Sequence, residues 1–284
     1  MNRPETRRDE PAWAAETRPE GPEGIGPGGE HAPADPVLYR IRGLVMSYGE
    51  HRVLDHLSFD IRRGECLTVL GRSGSGKSVL LRQLNGLEAP DEGTVEFDGT
   101  DLAALSEYDL FPFRRRIAML FQGGALFDSM DVFENIAFPM REHTGASEDE
   151  IAARVAEKLS MVHLAGIGEK MPADLSGGMK KRVALARSLA LDPTTVLFDE
   201  PTTGLDPVTS ATIGTLIRRV QTRLGVTSVV VTHDIALARR VGDRLAFLHE
   251  GRFRFLGDWA EAEASDDEIF CGFLAGREEE DDAA

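Results

Sequence analysis

"VLGRSGSGKSVLL", residues 69–81, sets a glycine-rich loop between an apolar run and a run of helical spacing. Gly71, Gly76, Lys77 and Ser78 fit the spacing G-x-x-x-x-G-K-[ST]. Glycines let successive backbone N–H groups curl around phosphate oxygens. The helix that follows aims its positive N-terminus at the same anion. In such a loop the lysine reaches the β and γ phosphates and the serine hydroxyl binds Mg²⁺. The loop Gly71, Arg72, Ser73, Gly74, Ser75, Gly76, Lys77 and Ser78 is therefore the candidate nucleotide site. Its context is the one this loop needs. "ECLTVL" before it reads as a buried parallel strand, and "KSVLLRQLNG" after it as a helix closed by Gly86.

Further along, "TVLFDE" (195–200) is a second apolar run, ending on two acids. Asp199 at that strand's end is placed to hold Mg²⁺ through water, and Glu200 to orient or deprotonate an attacking water. "LSGGMKKR" (175–182) puts Ser176, Gly177 and Gly178 at a helix start, a second anion-binding geometry. Gln122 follows "IAMLF", where a strand should end near the metal, and His233 ends "SVVVTH", within reach of a γ-phosphate. Each has a plainer reading alone. A strand-end acid is common, Ser-Gly-Gly is usually a loop or cap, and a lone Gln or His is more often structural. The order of all five elements is what makes them specific.

That order resembles the ATP-binding subunits of ABC transporters, over about residues 37–260. The resemblance implies an α/β fold. Its P-loop NTPase (RecA-like) core of mainly parallel sheet carries an antiparallel β subdomain and a helical subdomain, here about 111–190. It makes residues 71–78 a Walker A loop, Gln122 a metal-binding glutamine loop, "LSGG" the signature and 195–200 Walker B. "GLDP" with Asp206 and the switch histidine His233 complete the set. Tyr48 stands where the family has an aromatic residue stacking on adenine; its plainer reading is a half-buried strand residue. "FQGGALFDSMDVFENIAFPMREHT" (121–144) and "LSGGMKKRVALAR" resemble the ATPases of phospholipid (Mla/MCE-type) transporters. Met179 after the signature, where many ABC ATPases have Gln, agrees with that subgroup. The implied cofactors are ATP and Mg²⁺. The chain has one cassette, so the resemblance implies a second copy in a head-to-tail sandwich, with Ser176, Gly177, Gly178 and Asp206 acting in trans. It further implies integral-membrane permease subunits and an MCE-type lipid-binding partner. The place is the cytoplasmic face of the bacterial inner membrane, reached through the permease. "GALFDSM", with Leu126, Phe127 and Met130, is expected either to receive a permease helix or simply to pack the helical insert.

Composition bounds the alternatives. The net charge is −16, of which 1–36 carry four Arg against eight acids and 277–284 one Arg against five. An acidic chain argues against general nucleic-acid binding. Residues 1–36 are rich in Pro, Gly and Glu and read as disordered, as does the acidic end of the 261–284 extension. Cys66 and Cys271 make neither a disulfide framework nor a zinc cluster. No apolar run approaches the ~18 residues needed to cross a bilayer, and the N-terminus lacks the apolar core of a signal peptide. Three other readings stand beside the lipid-transport one. They are an importer ATPase for a small polar solute, a soluble ABC-type protein acting on ribosomes or DNA, and a generic P-loop kinase or GTPase. The last has no use for "LSGG".

Overall fold

Residues 36–277 are described by the computed structural model, and from Pro36 onward they form one unit. The acidic segments expected to be disordered lie outside these residues, Pro36 and Arg277 apart.

Two sheets organise the chain. The front sheet is antiparallel. It contains β1 (Val37–Tyr48), β2 (His51–Arg62), β4 (Glu92–Phe97) and β5 (Thr100–Asp101), in the order β2-β1-β4-β5. Its strands show the partial alternation expected of a sheet with one covered face: Tyr39, Ile41 and Leu44 of β1 are fully buried. The core sheet contains β3 (Cys66–Leu70), β6 (Ile117–Leu120), β7 (Thr195–Asp199), β8 (Thr227–Thr232), β9 (Arg244–His249) and β10 (Arg252–Gly257). Their order is β10-β9-β3-β8-β7-β6. Every pairing in it is parallel except β9 with β10. That pair turns at Glu250 and Gly251, both at positive φ (47° and 74°), the two-residue turn whose twist suits a hairpin.

Every residue of β3, β7 and β8 is buried, because both faces of the core sheet are covered. On one face Leu197, Val229 and Val231 pack with the front sheet and α1 (Lys77–Leu84). On the other, Val196, Phe198 and Val230 pack with four helices: α3 (Val132–His143), α4 (Glu148–Met161), α5 (Gly177–Ser188) and α6 (Pro207–Leu224). Helix α4 starts as its sequence predicts. Ser147 and Glu150 form a reciprocal capping box, and Ile151, Val155 and Leu159 are buried, with Val162 buried at the C-cap.

The helical subdomain expected at about 111–190 is not helical throughout, and the strand expected to end just before Gln122 is present. Phe111–Arg116 end α2 (Glu107–Arg116), whose Leu110 and Phe113 pack on the front-sheet side. Strand β6 then runs in the core sheet, paired along β7. A four-residue apolar run has no periodicity of its own, and its neighbour decides its state.

Residues 261–274 are packed as well. Helices α8 (Trp259–Glu263) and α9 (Glu268–Leu274) follow the hairpin, and Phe270 is fully buried against Phe247 and Phe255 at ring-centroid distances of 5.2 and 4.6 Å. Phe270→Ala is expected to lower unfolding stability by about 3–5 kcal/mol, the usual cost of deleting a buried aromatic ring. Urea denaturation measures it. A loss below about 1 kcal/mol would show that α9 contributes little to the folded body.

Candidate functional site: a nucleotide cleft at the strand ends

Because β3, β6, β7 and β8 are parallel, their C-terminal ends share one edge of the sheet. Loops leaving that edge carry Gly71, Gln122, Glu200 and His233. Ligands of open α/β sheets bind along such an edge.

The loop after β3 is closed by steric fit. A Cβ on Gly71 would lie 2.6 Å from the Leu248 carbonyl oxygen, and one on Gly76 2.9 Å from that of Val53. Gly76 also sits at φ 98°, a conformation open to glycine. Helix α1 begins at the next residue with no side chain capping its N-terminus, so its first N–H groups are left to an anion. Lys77 is 6% exposed. Its Nζ donates to the carbonyls of Gly71 and Arg72, each at 2.8 Å, and lies 3.5 Å from Glu200 Oε1. Burial pulls the Lys77 ammonium below its ordinary pKa, while Glu200 and Asp199 act in the opposite sense. The Ser75 hydroxyl is buried with no hydrogen-bond partner among the described residues.

Two acids face this loop. Asp199 ends β7 and accepts a hydrogen bond from the Ser78 hydroxyl at 2.9 Å. Burial raises its carboxyl pKa, and the Ser78 bond partly offsets that. Glu200 is buried, at φ 45°, in the left-handed region that non-glycine residues rarely adopt. The backbone is held there by its N–H, which donates to the Val231 carbonyl at 3.0 Å. The carboxylate is held as well. Its Oε2 lies 2.9 Å from His233 Nδ1 and accepts from the hydroxyls of Thr203 at 3.2 Å and Thr232 at 3.4 Å. Strain kept in place by this many contacts marks a side chain aimed for use.

These groups surround a cleft of about 850 Å³. Of the residues expected from sequence, Arg72, Ser73, Gly74, Gly76, Lys77, Ser78, Gln122, Glu200 and His233 line it. Gly71, Ser75 and Asp199 do not line it, although Asp199 touches it through Ser78. Tyr48 stands apart. Its hydroxyl donates to Glu88 at 2.5 Å and accepts from Arg82 at 3.1 Å, and it is 45% exposed at the end of β1. His51 and Val53 of β2 also line the cleft, together with Thr203, Ile235 and, from the C-terminal end, Phe273, Gly276 and Arg277. Val79 of α1 lines it too, and sequence reading missed all eight. Thr203 and Ile235 lie within three residues of Glu200 and His233, a signal that was there to use. Nothing local marks Phe273 or Arg277.

Ser176, Gly177, Gly178 and Asp206 do not line the cleft either. Ser176 caps α5, its Oγ accepting from the Met179 N–H at 3.3 Å. A Cβ on Gly178 would come within 2.5 Å of Thr209 Cγ2, so this glycine lets α5 approach α6 closely. Asp206 caps α6, accepting from the N–H groups of Val208 and Thr209 at 3.0 Å each. The Thr209 hydroxyl holds its carboxyl below the usual range.

The phosphate role expected of Lys77 from sequence is tested by Lys77→Ala, since a charge-assisted contact is worth about 1.5–3 kcal/mol, or roughly 10- to 150-fold in affinity. A fluorescent ATP titration is expected to show a loss of that size in a folded protein. An unchanged affinity would take Lys77 out of the phosphate site.

Comparison with known proteins agrees with the geometry. The family model described as "ABC transporter" matches residues 54–203. The "Probable ribonucleotide transport ATP-binding protein mkl" of Mycobacterium leprae is 42% identical over 241 residues, 85% of this chain and 70% of that one. The "Intermembrane phospholipid transport system ATP-binding protein MlaF" of Escherichia coli K12 is 39% identical over 239 residues, 84% of this chain and 89% of that one. Among solved structures, the dimeric ATP-binding cassette MJ0796, in a post-hydrolysis state bound to ADP and Pi, superposes with a TM-score of 0.72. It is 33% identical over 78% of this chain and 98% of that one. The cbiO1 protein of Clostridium perfringens, part of the ABC transporter complex cbiONQ, superposes at 0.75 with 31% identity, over 84% and 96%. With a family model matched over more than half of its 284 residues and such relatives covered over most of their length, the chain belongs to the ABC transporter family as an ATP-binding, ATP-hydrolysing cassette.

Proposed function

We propose that this chain energises a membrane transporter of phospholipid by ATP-driven closure of a head-to-tail homodimer. The observation that carries the dimer is the division of the phosphate-binding groups. Lys77, Ser78, Glu200 and His233 line one cleft, while Ser176–Gly178 lie outside it at a helix start of their own. A second copy turned to face the first brings its Ser176 to the open side of this cleft.

Mg²⁺ fits the oxygens present. The Ser78 hydroxyl and the Asp199 carboxylate are in contact, and Gln122 lines the same cleft. No cluster of three or more His, Cys, Asp or Glu suited to a metal occurs among the described residues. Mg²⁺ needs no such cage, since it takes one or two protein oxygens with substrate phosphates and water. When bound it neutralises charge on the β and γ phosphate oxygens. The chain's own residues do the rest. Lys77 and the α1 N-terminus hold the phosphates, and Glu200 accepts the proton of the attacking water. His233, on Glu200 Oε2, steadies that carboxylate and faces the γ-phosphate. Closure follows because ATP touches both cassettes only when they meet, and loss of the γ-phosphate releases them.

The lipid reading rests on kinship with the phospholipid-transport proteins and on the 121–144 segment. The loop between β6 and α3 shows Phe121 and Phe127, each 42% exposed, beside half-buried Leu126 and Met130. An exposed apolar patch at that loop suits a short permease helix. No helix among the described residues is long and apolar enough to cross a membrane. Membrane attachment is then through the permease, with an MCE-type protein as the lipid-binding partner.

Glu200→Gln is expected to cut turnover by about 10²- to 10⁴-fold, the usual worth of a general base, and to leave ATP trapped in a long-lived dimer. Turnover within a few-fold of wild type on the same folded sample would remove Glu200 from the mechanism. For the substrate, the cassette is purified with its permease from detergent extracts, and bound lipid is identified by mass spectrometry. Phospholipid that is bound and stimulates the ATPase supports the reading. A complex without lipid whose ATPase answers to ribonucleotides or a small polar solute overturns it.

A further inference from the structure

Helix α5 reaches two functional loops at once. Its first turn carries Ser176, Gly177 and Gly178. Further along, Lys181, Ala184 and Arg187 recur every third residue, so they lie on one helix face, and that face grips the loop after β6. Lys181 Nζ donates to the Gln122 carbonyl oxygen. Ala184 Cβ lies 3.3 Å from where a Cβ on Gly124 would sit, so the chain passes that close to the helix. Arg187 Nη2 donates to the Gly124 carbonyl at 3.2 Å and its guanidinium lies 5.3 Å from the Phe127 ring centroid.

Lys181 is the unusual member. It is 9% exposed, and its Nζ bonds to a neutral carbonyl rather than a carboxylate. A buried ammonium is costly, and an apolar side chain would fill the space at less cost. What offsets the cost is the attraction of Asp199 and Glu200, which partly counters the lowering of its pKa by burial. The lysine therefore lies within the field of the acids while holding the backbone of Gln122.

We propose that Lys181 is a positioning residue that locks the Gln122 loop to the signature helix, so that the state of a cassette's own cleft and the surface it offers its partner move as one body. This rests on the reading of Gln122 as a cleft ligand and of Ser176 as acting in trans. A bound nucleotide that draws Gln122 inward then carries α5 with it, and Ser176–Gly178 turn toward the second site. Without the ammonium, Gln122 keeps its place in sequence but loses its fixed distance from the helix.

The test uses the full chain with Lys181→Met, Lys181→Arg and Gln122→Ala, and with rates expressed per folded molecule. Misplacement of a catalytic ligand by about 1 Å costs up to about 100-fold, so kcat of Lys181→Met is expected to fall by about 10-fold or more. KM for ATP, set by the phosphate loop, stays within about 3-fold. In a Glu200→Gln background, sedimentation is expected to show that the Met variant needs about 10-fold more ATP to dimerise. Lys181→Arg, which keeps a charged donor, restores most of both. Lys181→Gln serves the same comparison where Lys181→Met does not fold. A kcat within 2-fold of wild type in Lys181→Met, beside a slow Gln122→Ala, overturns the tether alone. So does an equal loss in Lys181→Arg, or a rise in KM with kcat kept. Unchanged kcat in Gln122→Ala overturns the underlying site reading and the tether with it.

Discussion

Parallel pairing of β3, β8, β7 and β6 is the constraint on which the site depends. Parallel strands end on the same side, and each here ends where a reactive loop begins. The register is fixed by burial on both faces. Leu197, Val229 and Val231 serve one core and Val196, Phe198 and Val230 the other, so a slip of one residue would exchange them. Moved by one residue, Asp199 would lose Ser78, and Glu200 would lose the Val231 carbonyl that holds its strained backbone. Packing far from the cleft thus sets the distances inside it.

Within that frame the cleft is poised by opposed charges. The Lys77 ammonium is buried between two loop carbonyls and a carboxylate, and Glu200 is divided between Lys77, His233 and two threonine hydroxyls. Neither group is in its cheapest environment. Phosphate oxygens entering the cleft offer Lys77 and the uncapped α1 N-terminus a better partner than the loop carbonyls. In the proposed mechanism Glu200 is then left to take the proton of the attacking water. The strain at Glu200 is a cost met by the packing around it, as expected where function rather than stability selects the residue.

Much of this was legible in the sequence, for specific reasons. Gly71, Gly76, Lys77 and Ser78 announce themselves because only those residue types meet the steric and chemical demands of the loop. The fully buried strands read as apolar runs, and the Ser147–Glu150 box marks its helix directly. What stayed hidden is decided by partners distant in sequence. Helix α9 is fixed by Phe270 meeting Phe247 and Phe255. Tyr48 bonds to Glu88 and Arg82, 40 and 34 residues away, and His51 and Val53 line the cleft, contacts that its position in a motif could not show.

Each ATP site is proposed to take half of its groups from one cassette and the rest from a second copy. Mixing subunits that carry Lys77→Ala with subunits that carry Ser176→Arg tests it most directly. A heterodimer of the two has one composite site with both lesions and one with neither. Isolated heterodimers are expected to show ATPase activity well above that of either mutant homodimer. Isolated heterodimers as inactive as the homodimers would contradict the claim.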